Sequence, residues 1–203
     1  MIDLYIFDEG GVLIRNHMVL ADVARALGME AGALAALLPP DMGLASSGFI
    51  GSEEFWRRFT ARTGNWWDVC FKPTRDEPTF ALVRELARGA RTVCGTNTID
   101  CHHATNERLG MYEPFHAVYA SHLIHLSKPD PRFWLEILQR EGAAPERAFF
   151  ADDSEKNVEA ARALGIRSFL YTDAASLRRE LVAAGAPVQP QPGQPRLGLG
   201  TGL

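Results

Sequence analysis

The stretch "YIFDEGGVL", residues 5–13, closes an apolar run with a carboxylate at Asp8 and continues through Glu9 into two glycines. An apolar run of this kind predicts a buried strand, and an acid at its end would be delivered to an exposed turn. Gly10, two residues after Asp8, adds no side chain to that turn. The stretch therefore raises two questions: what Asp8 does at the end of a strand, and why residue 10 is a glycine.

The rest of the chain alternates between segments patterned as strands and segments patterned as helices. Short apolar runs predict five strands, at residues 2–7, 91–95, 116–120, 147–151 and 167–171. Apolar residues three and four positions apart predict helices at residues 79–88, 131–140, 155–164 and 175–184. Strands separated by helices favour an α/β fold with a Rossmann-like, mostly parallel sheet in three layers.

The connection between Leu13 and Pro78 is too long to be a simple link from strand to helix. It carries helical patterns at residues 18–27, 31–38 and 53–63. We interpret residues 16–75 as a helical cap inserted after the first strand, and its aromatic residues as cap core rather than ligand-stacking groups: Phe49, Phe55, Trp56, Phe59, Trp66 and Trp67. The α/β core then comprises residues 1–15 and 76–186, and the Pro/Gly-rich residues 187–203 are expected to form a flexible tail.

Composition narrows the classes of partner. The 203 residues carry 21 Lys and Arg against 25 Asp and Glu, a net charge of -4, which provides no broad basic surface for nucleic acid or anionic membrane. Acids interrupt the N-terminal apolar segment, unlike in a signal peptide, and no apolar run approaches the roughly 20 residues needed to span a bilayer. We expect a cytoplasmic protein with a small-molecule partner; nothing in the sequence indicates its oligomeric state.

Polar residues follow three of the predicted strands. Asp8 ends the first strand, Thr96 and Asn97 follow the second, and Asp152 and Asp153 end the fourth. The carboxyl ends of parallel strands meet at one edge of a sheet, where oxygen ligands would suit a hard divalent cation and helix N-termini a phosphate.

Taken singly, several of these residues have simpler explanations. Asp153 or Ser154 would serve to cap a helix at Glu155, Asp130 would cap the helix beginning at Pro131, and Lys128 would be an ordinary surface lysine. Their recurrence in order at strand ends favours a site.

Four segments together carry a family resemblance. The segments "FDEGGVL", "GTNT", "LSKPDPRFW" and "FFADDSEKNVEAARALGI" resemble the four motifs of the haloacid dehalogenase-like (HAD) hydrolase superfamily, across most of residues 1–173. Their wording is similar to that of the α-glucose-1-phosphate phosphatase-like branch, which has a small helical cap after the first motif. His102 takes the place of a histidine that follows the second motif of this branch.

The resemblance implies a role for each matching residue. Asp8 would be the nucleophile that forms an aspartyl phosphate. Mg²⁺ would be held by the Asp8 carboxylate, the backbone carbonyl of Gly10 and Asp153, with Asp152 acting through water. The remaining matches would bind the phosphoryl group or assist catalysis: Thr96 and Asn97 as substrate-binding residues, Lys128 as the neutralising cation, and His102 as a catalytic residue.

Gly10 departs from the pattern that the resemblance implies. Most phosphatases of the superfamily carry a second Asp there, and a positioned acid/base is typically worth about 10²–10⁴ in rate. Either the substrate has a leaving group that needs little help, or another residue such as His102 or His17 supplies the proton. Glu9 is an acid where an apolar residue is expected, and strand alternation predicts that it points away from the face of Asp8.

We expect a Mg²⁺-dependent phosphatase of a small phosphorylated metabolite such as a sugar phosphate. One alternative is a non-catalytic relative that binds a phosphoryl ligand, or a partner protein through the cap. Another is a dehalogenase or phosphotransferase that uses Asp8 in the same way. The acids Asp152 and Asp153 together with Lys128 favour phosphate, since dehalogenases of this superfamily do not need the Mg²⁺ cluster.

Overall fold

The computed structural model describes residues 1–38, 41–59 and 64–190, which form a parallel sheet with helices on both faces and a helical insertion. The strands in chain order are β1 (Leu4–Phe7), β2 (Ile14–Arg15), β3 (Thr74–Arg75), β4 (Arg91–Thr96), β5 (Ala117–Ala120), β6 (Ala148–Asp152) and β7 (Arg167–Leu170). Five of them make the main sheet, in the order β5-β4-β1-β6-β7 and all parallel. The α/β fold predicted from the sequence is confirmed.

The central strand β1 buries both of its faces, as expected for a strand between parallel neighbours. Leu4 and Ile6 pack on one side, in a cluster with Phe133 and Trp134. Tyr5 and Phe7 pack on the other side. This alternation makes the three layers, because each sheet face needs its own cover of helices.

The helices in chain order are α1 (Leu20–Leu27), α2 (Ala31–Leu37), α3 (Asp41–Ser46), α4 (Ser52–Phe59), α5 (Trp66–Cys70), α6 (Glu77–Ala87), α7 (Asp100–Arg108), α8 (Ser121–Ile124), α9 (Pro131–Glu141), α10 (Glu155–Ala163) and α11 (Ala174–Ala183). The four predicted core helices are confirmed as α6, α9, α10 and α11. Helix α7 is not predicted from the sequence, because "DCHHATNER" has no apolar stripe. Within the described part of the chain, no helix combines the length and apolar character needed to cross a bilayer.

The insertion consists of helices α1 to α5 and rests on a short antiparallel ribbon. Ile14 pairs with Arg75 in this ribbon. Phe55, Trp56 and Trp67 are buried and in contact, which confirms them as cap core. The same expectation is wrong for Phe49, which is 67% exposed and stacks on a histidine of the core. Residues 60–63 of the third predicted cap helix lie outside the described residues.

The start of the predicted tail is attached to the core. Val188 is buried, the Gln189 N–H donates to Glu85 at 2.6 Å, and Arg178 donates to the Gln189 carbonyl at 2.7 Å. The expectation of a flexible tail is therefore wrong for residues 187–190, because one apolar side chain and two polar contacts hold them between α6 and α11. Residues 191–203 of the predicted tail lie outside the described residues.

Candidate active site

Three carboxylates meet at the carboxyl edge of the sheet. Strands β1 and β6 pair with Phe7 opposite Ala151, so the next residues, Asp8 and Asp152, lie side by side. The Asp8 N–H donates to the Ala151 carbonyl at 2.9 Å, which fixes the backbone where the strand ends. One oxygen from each of Asp8, Asp152 and Asp153 lies within 4.8 Å of the others. The sequence prediction that these acids converge is thus consistent with the geometry.

Lys128 is enclosed between two of these acids. Its Nζ lies 2.6 Å from an Asp8 oxygen and 2.7 Å from an Asp152 oxygen, and its side chain is only 1% exposed. This excludes the simpler interpretation of a surface lysine. A buried ammonium needs compensating charge, and the two carboxylates supply it.

Asn97 holds the backbone of Lys128 in place. Its amide nitrogen donates to the Lys128 carbonyl and its amide oxygen accepts from the Lys128 N–H, both at 2.8 Å. Two opposed hydrogen bonds occupy this side chain, so its observed contacts are with the Lys128 backbone. These bonds position the lysine that faces Asp8, and the substrate-binding role expected of Asn97 stays a prediction.

The charges at this edge are not balanced by protein groups alone. Burial raises the pKa of Asp8 to about 7; Lys128 lowers it and Asp152 raises it. Burial also raises the pKa of Asp153, with the neighbouring Asp152 adding to the effect. For Lys128, burial lowers the pKa, but Asp8 and Asp152 outweigh it and the net shift is upward. When all three acids are ionised, one ammonium leaves an excess of two negative charges.

The donor set fits a hard divalent cation. Carboxylate oxygens are preferred ligands of Mg²⁺, and a divalent cation would neutralise the excess of acids over Lys128. Asp153 is exposed to the crevice and its carboxylate lies against Gly11, where a Cβ atom would approach an Asp153 oxygen to 2.0 Å. Among the described residues, these three acids form the one cluster of acidic, histidine or cysteine side chains suited to a metal.

The helix-capping alternatives are partly correct. Asp130 caps α9, accepting from the Arg132 N–H at 2.9 Å. Ser154 precedes α10 without a side-chain capping bond, and its N–H instead donates to Asp152 at 2.8 Å. Asp152 also accepts from Asn157, so this acid is fixed both by the start of α10 and by Lys128. Such fixing orients the carboxylate toward the site.

Thr96 and Glu9 form a separate buried network beside the acids. The Thr96 hydroxyl donates to Glu9 at 3.1 Å, and the Asn106 amide of α7 donates to the other Glu9 oxygen. Burial raises the pKa of Glu9 to about 7, and the Asp8 charge adds to the effect. As strand alternation predicts, Glu9 points away from the Lys128 side of Asp8 and toward α7. The Thr96 hydroxyl, expected at the phosphoryl group, is engaged with Glu9 in this structure.

The two histidines considered as proton donors lie in different surroundings. His102 stacks on Phe71 of the cap segment with ring centroids 3.8 Å apart, and burial lowers its pKa to about 4. A ring with that pKa is neutral at pH 7, and the ring contact that the structure shows is with Phe71, so the catalytic role expected of His102 stays a prediction. His17 lies against Gly10 instead, with its Cδ2 atom 3.0 Å from the position of a Cβ atom at residue 10.

The sequence does not predict the contact of Asn106 with Glu9 or the hydrogen bond from Thr96 to Glu9. Asn106 lies in the unpredicted helix α7, 97 positions from its partner Glu9. The signal available in the sequence is Glu9 itself, because a buried acid next to a strand-end acid requires polar partners. The sequence does not indicate which distant residues supply these polar partners of Glu9.

Comparison with known proteins identifies the family of the chain. A family model described as haloacid dehalogenase-like hydrolase matches residues 2–165. A sesquiterpene phosphatase from Aspergillus oryzae is 28% identical over 189 residues, covering 87% of this chain and 93% of the relative.

Two solved structures share the fold. A HAD family enzyme from Bacteroides thetaiotaomicron, solved in complex with magnesium and inorganic phosphate, has a TM-score of 0.73 at 21% identity, over 85% of this chain and 95% of that chain. A HAD phosphatase from Thermococcus onnurineus has a TM-score of 0.67 at 18% identity, over 92% of this chain and 100% of that chain. Because the family model spans most of the sequence, the chain belongs to the haloacid dehalogenase-like hydrolase family.

Proposed function

We propose that the protein is a Mg²⁺-dependent phosphatase that hydrolyses a small phosphate monoester through Asp8. The observation that carries this proposal is the position of Lys128, whose Nζ lies within 2.7 Å of both Asp8 and Asp152. A carboxylate cannot approach a dianionic phosphate unless nearby cations reduce the repulsion. Lys128 supplies one such charge at the Asp8 oxygen itself.

The proposed reaction is a phosphoryl transfer in two steps. An Asp8 oxygen forms a bond to phosphorus while the bond from phosphorus to the substrate oxygen breaks, and that oxygen leaves with the electron pair. Water then attacks the aspartyl phosphate, releasing inorganic phosphate and a proton to solvent and restoring the Asp8 carboxylate. Lys128 stabilises the negative charge beside Asp8 in both steps.

Mg²⁺ would be held by Asp8, Asp153 and the Gly10 carbonyl, with Asp152 acting through water. When bound, it supplies positive charge that polarises a phosphoryl oxygen and offsets the excess of acids. The Bacteroides thetaiotaomicron enzyme, whose fold this chain shares, was solved with magnesium and inorganic phosphate, which supports the proposal.

The substrate class remains a small phosphorylated metabolite. The Aspergillus oryzae relative is named a sesquiterpene phosphatase, which adds terpenyl phosphates to the sugar phosphates suggested by the motif wording. The acids Asp152 and Asp153 favour phosphate over a carbon–halogen bond, because dehalogenases of this superfamily do not need the Mg²⁺ cluster. A non-catalytic relative would bind Mg²⁺ and phosphate without turnover.

Phosphate release from a panel of substrates tests this proposal. The panel contains glucose 1-phosphate, farnesyl phosphate and p-nitrophenyl phosphate, each with Mg²⁺ and with EDTA. We expect release that EDTA abolishes and that Asp8→Asn reduces to background, while Asp22→Asn, at an exposed acid of α1, retains it. Binding of Mg²⁺ without turnover on any substrate would favour the non-catalytic alternative, and turnover undiminished in Asp8→Asn would exclude Asp8 as nucleophile.

A further inference from the structure

The ring of His17 lies in the space next to Gly10. A Cβ atom built on Gly10 would lie 3.0 Å from Cδ2, 3.3 Å from Cγ and 3.3 Å from Nε2 of His17. A Cβ atom on residue 10 would therefore press on the His17 ring, which would have to shift by a few tenths of an ångström. A longer side chain on residue 10 would compete with the ring for the same space.

The ring is held in one orientation by the turn that follows Asp8. The Gly11 N–H is shared between the Ile14 carbonyl, at 3.0 Å, and Nδ1 of His17, at 3.2 Å. In the tautomer whose Nδ1 accepts this hydrogen bond, the ring hydrogen of the neutral imidazole is on Nε2. Nε2 is also the nitrogen close to the space above Gly10, and His17 is only half-buried, so a ligand in the crevice can reach it.

We propose that His17 is a catalytic residue whose Nε2–H donates a hydrogen bond to the leaving oxygen of the substrate, from the place where a side chain on residue 10 would otherwise lie. The inference rests on the proposed phosphatase function. It gives Gly10 a physical reason: the glycine makes room for a polar group from another part of the chain.

The step to which His17 contributes is the first transfer. As Asp8 bonds to phosphorus, the bond from phosphorus to the leaving oxygen breaks and its electron pair remains on that oxygen. The Nε2–H hydrogen bond stabilises this charge, and the oxygen takes its proton from water. A fixed donor directed at developing charge contributes most where the leaving group holds charge poorly.

Other polar groups near the acids have contacts of their own. Glu9 is engaged with Thr96 and Asn106, and His102 stacks on Phe71. In the portion of the chain that the structure describes, His17 is the imidazole placed against Gly10.

The first test is His17→Phe, which keeps a ring and removes both nitrogens. We expect kcat to fall by about 10²–10³ on a primary alkyl phosphate, the usual effect of losing one such donor, with KM changing less. On p-nitrophenyl phosphate, whose leaving group stabilises its own charge, we expect a loss of less than about tenfold. His103→Phe, at a half-buried histidine of α7 outside the site, is the matched control and retains both activities.

The second test exchanges the two positions and includes a readout without substrate. Gly10→Asp alone should lower the thermal midpoint, because its side chain meets the His17 ring, and adding His17→Gly should restore it. The double variant should also recover alkyl phosphate hydrolysis relative to His17→Gly, since a carboxyl group then occupies the place of the imidazole.

These results distinguish the inference from the function on which it rests. Equal losses on alkyl and aryl phosphates in His17→Phe, or independent effects of the two substitutions on the thermal midpoint, would overturn the role of His17 while leaving the phosphatase proposal intact. Absence of turnover by the wild-type protein on every substrate would overturn both.

Discussion

The Thr96 hydroxyl donates a hydrogen bond to Glu9 at 3.1 Å, just beyond the paired ends of β1 and β4. Both side chains are buried, and Asn106 completes the network from α7. The residue that the motif resemblance assigns to the phosphoryl group is thus tied to an acid that the resemblance does not assign. We expect this network to contribute to the free energy of unfolding.

Glu9→Leu should destabilise the protein by about 1–3 kcal/mol, because it leaves a buried hydroxyl and a buried amide without their acceptor. Glu9→Gln should cost less, since one acceptor oxygen remains. Urea unfolding of the two variants measures the difference. Glu159→Leu, at an exposed acid of α10, is the control and should stay within about 0.5 kcal/mol of wild type. Equal, negligible effects at residue 9 would show that the network adds no stability.

Mg²⁺ should raise the thermal midpoint through Asp153. Ligand at 100 times its Kd stabilises the folded state by about 2.7 kcal/mol, and each kcal/mol raises the midpoint by about 2–4 °C in a chain of this size. Asp153→Ala should fold normally, because this side chain is exposed, and should lose most of the shift. Asp22→Ala should keep it. A full Mg²⁺ shift in Asp153→Ala would remove Asp153 from the ligand set.

Lys128→Met should destabilise the metal-free protein by about 3–5 kcal/mol, the usual cost of breaking a buried ion pair from one side. The substitution leaves Asp8 and Asp152 buried together without a positive charge between them. Denaturant unfolding in EDTA measures this loss. Lys156→Met, at an exposed position of α10, should have little effect. A loss below about 1 kcal/mol at residue 128 would mean that solvent or rearrangement compensates the acids.

Asp76 should make stability depend on pH at the base of the cap. Burial raises the pKa of Asp76, but hydrogen bonds from Thr79 and Arg15 outweigh it, so the pKa lies below its ordinary value. A depressed pKa contributes stability above the unfolded-state value of about 3.9, and this contribution is lost as pH falls through the folded-state value. Asp76→Asn should therefore be less stable than wild type at pH 7, by about 0.5–1 kcal/mol for a partly exposed pair.

Urea unfolding at pH 7 and at pH 3 tests this dependence. The difference between wild type and Asp76→Asn should shrink at the lower pH, because the wild-type carboxyl is then increasingly protonated. Asn can still cap α6 through its side-chain oxygen, so the variant isolates the charge. A difference that stays constant with pH would assign the contribution of Asp76 to capping alone.

The amino-acid sequence predicted the five strands of the main sheet, four of the helices that cover it and the acids at the strand ends. Apolar runs and apolar periodicity indicate which face of an element is buried. They predict the strand that contains Ile6 and the helix that contains Trp134, because both elements present apolar residues to the core. Asp8, Asp152 and Asp153 could be placed together because parallel strands end at one edge.

The pairs of polar side chains that meet across the chain are visible only in the tertiary structure. Glu9 meets Asn106, Asn97 holds Lys128, and His17 rather than His102 lies against Gly10. These pairings depend on the path of a turn, on a helix without an apolar stripe and on how the cap rests on the core. Periodicity carries no such information, because it records the burial of each element and not the partner that buries it.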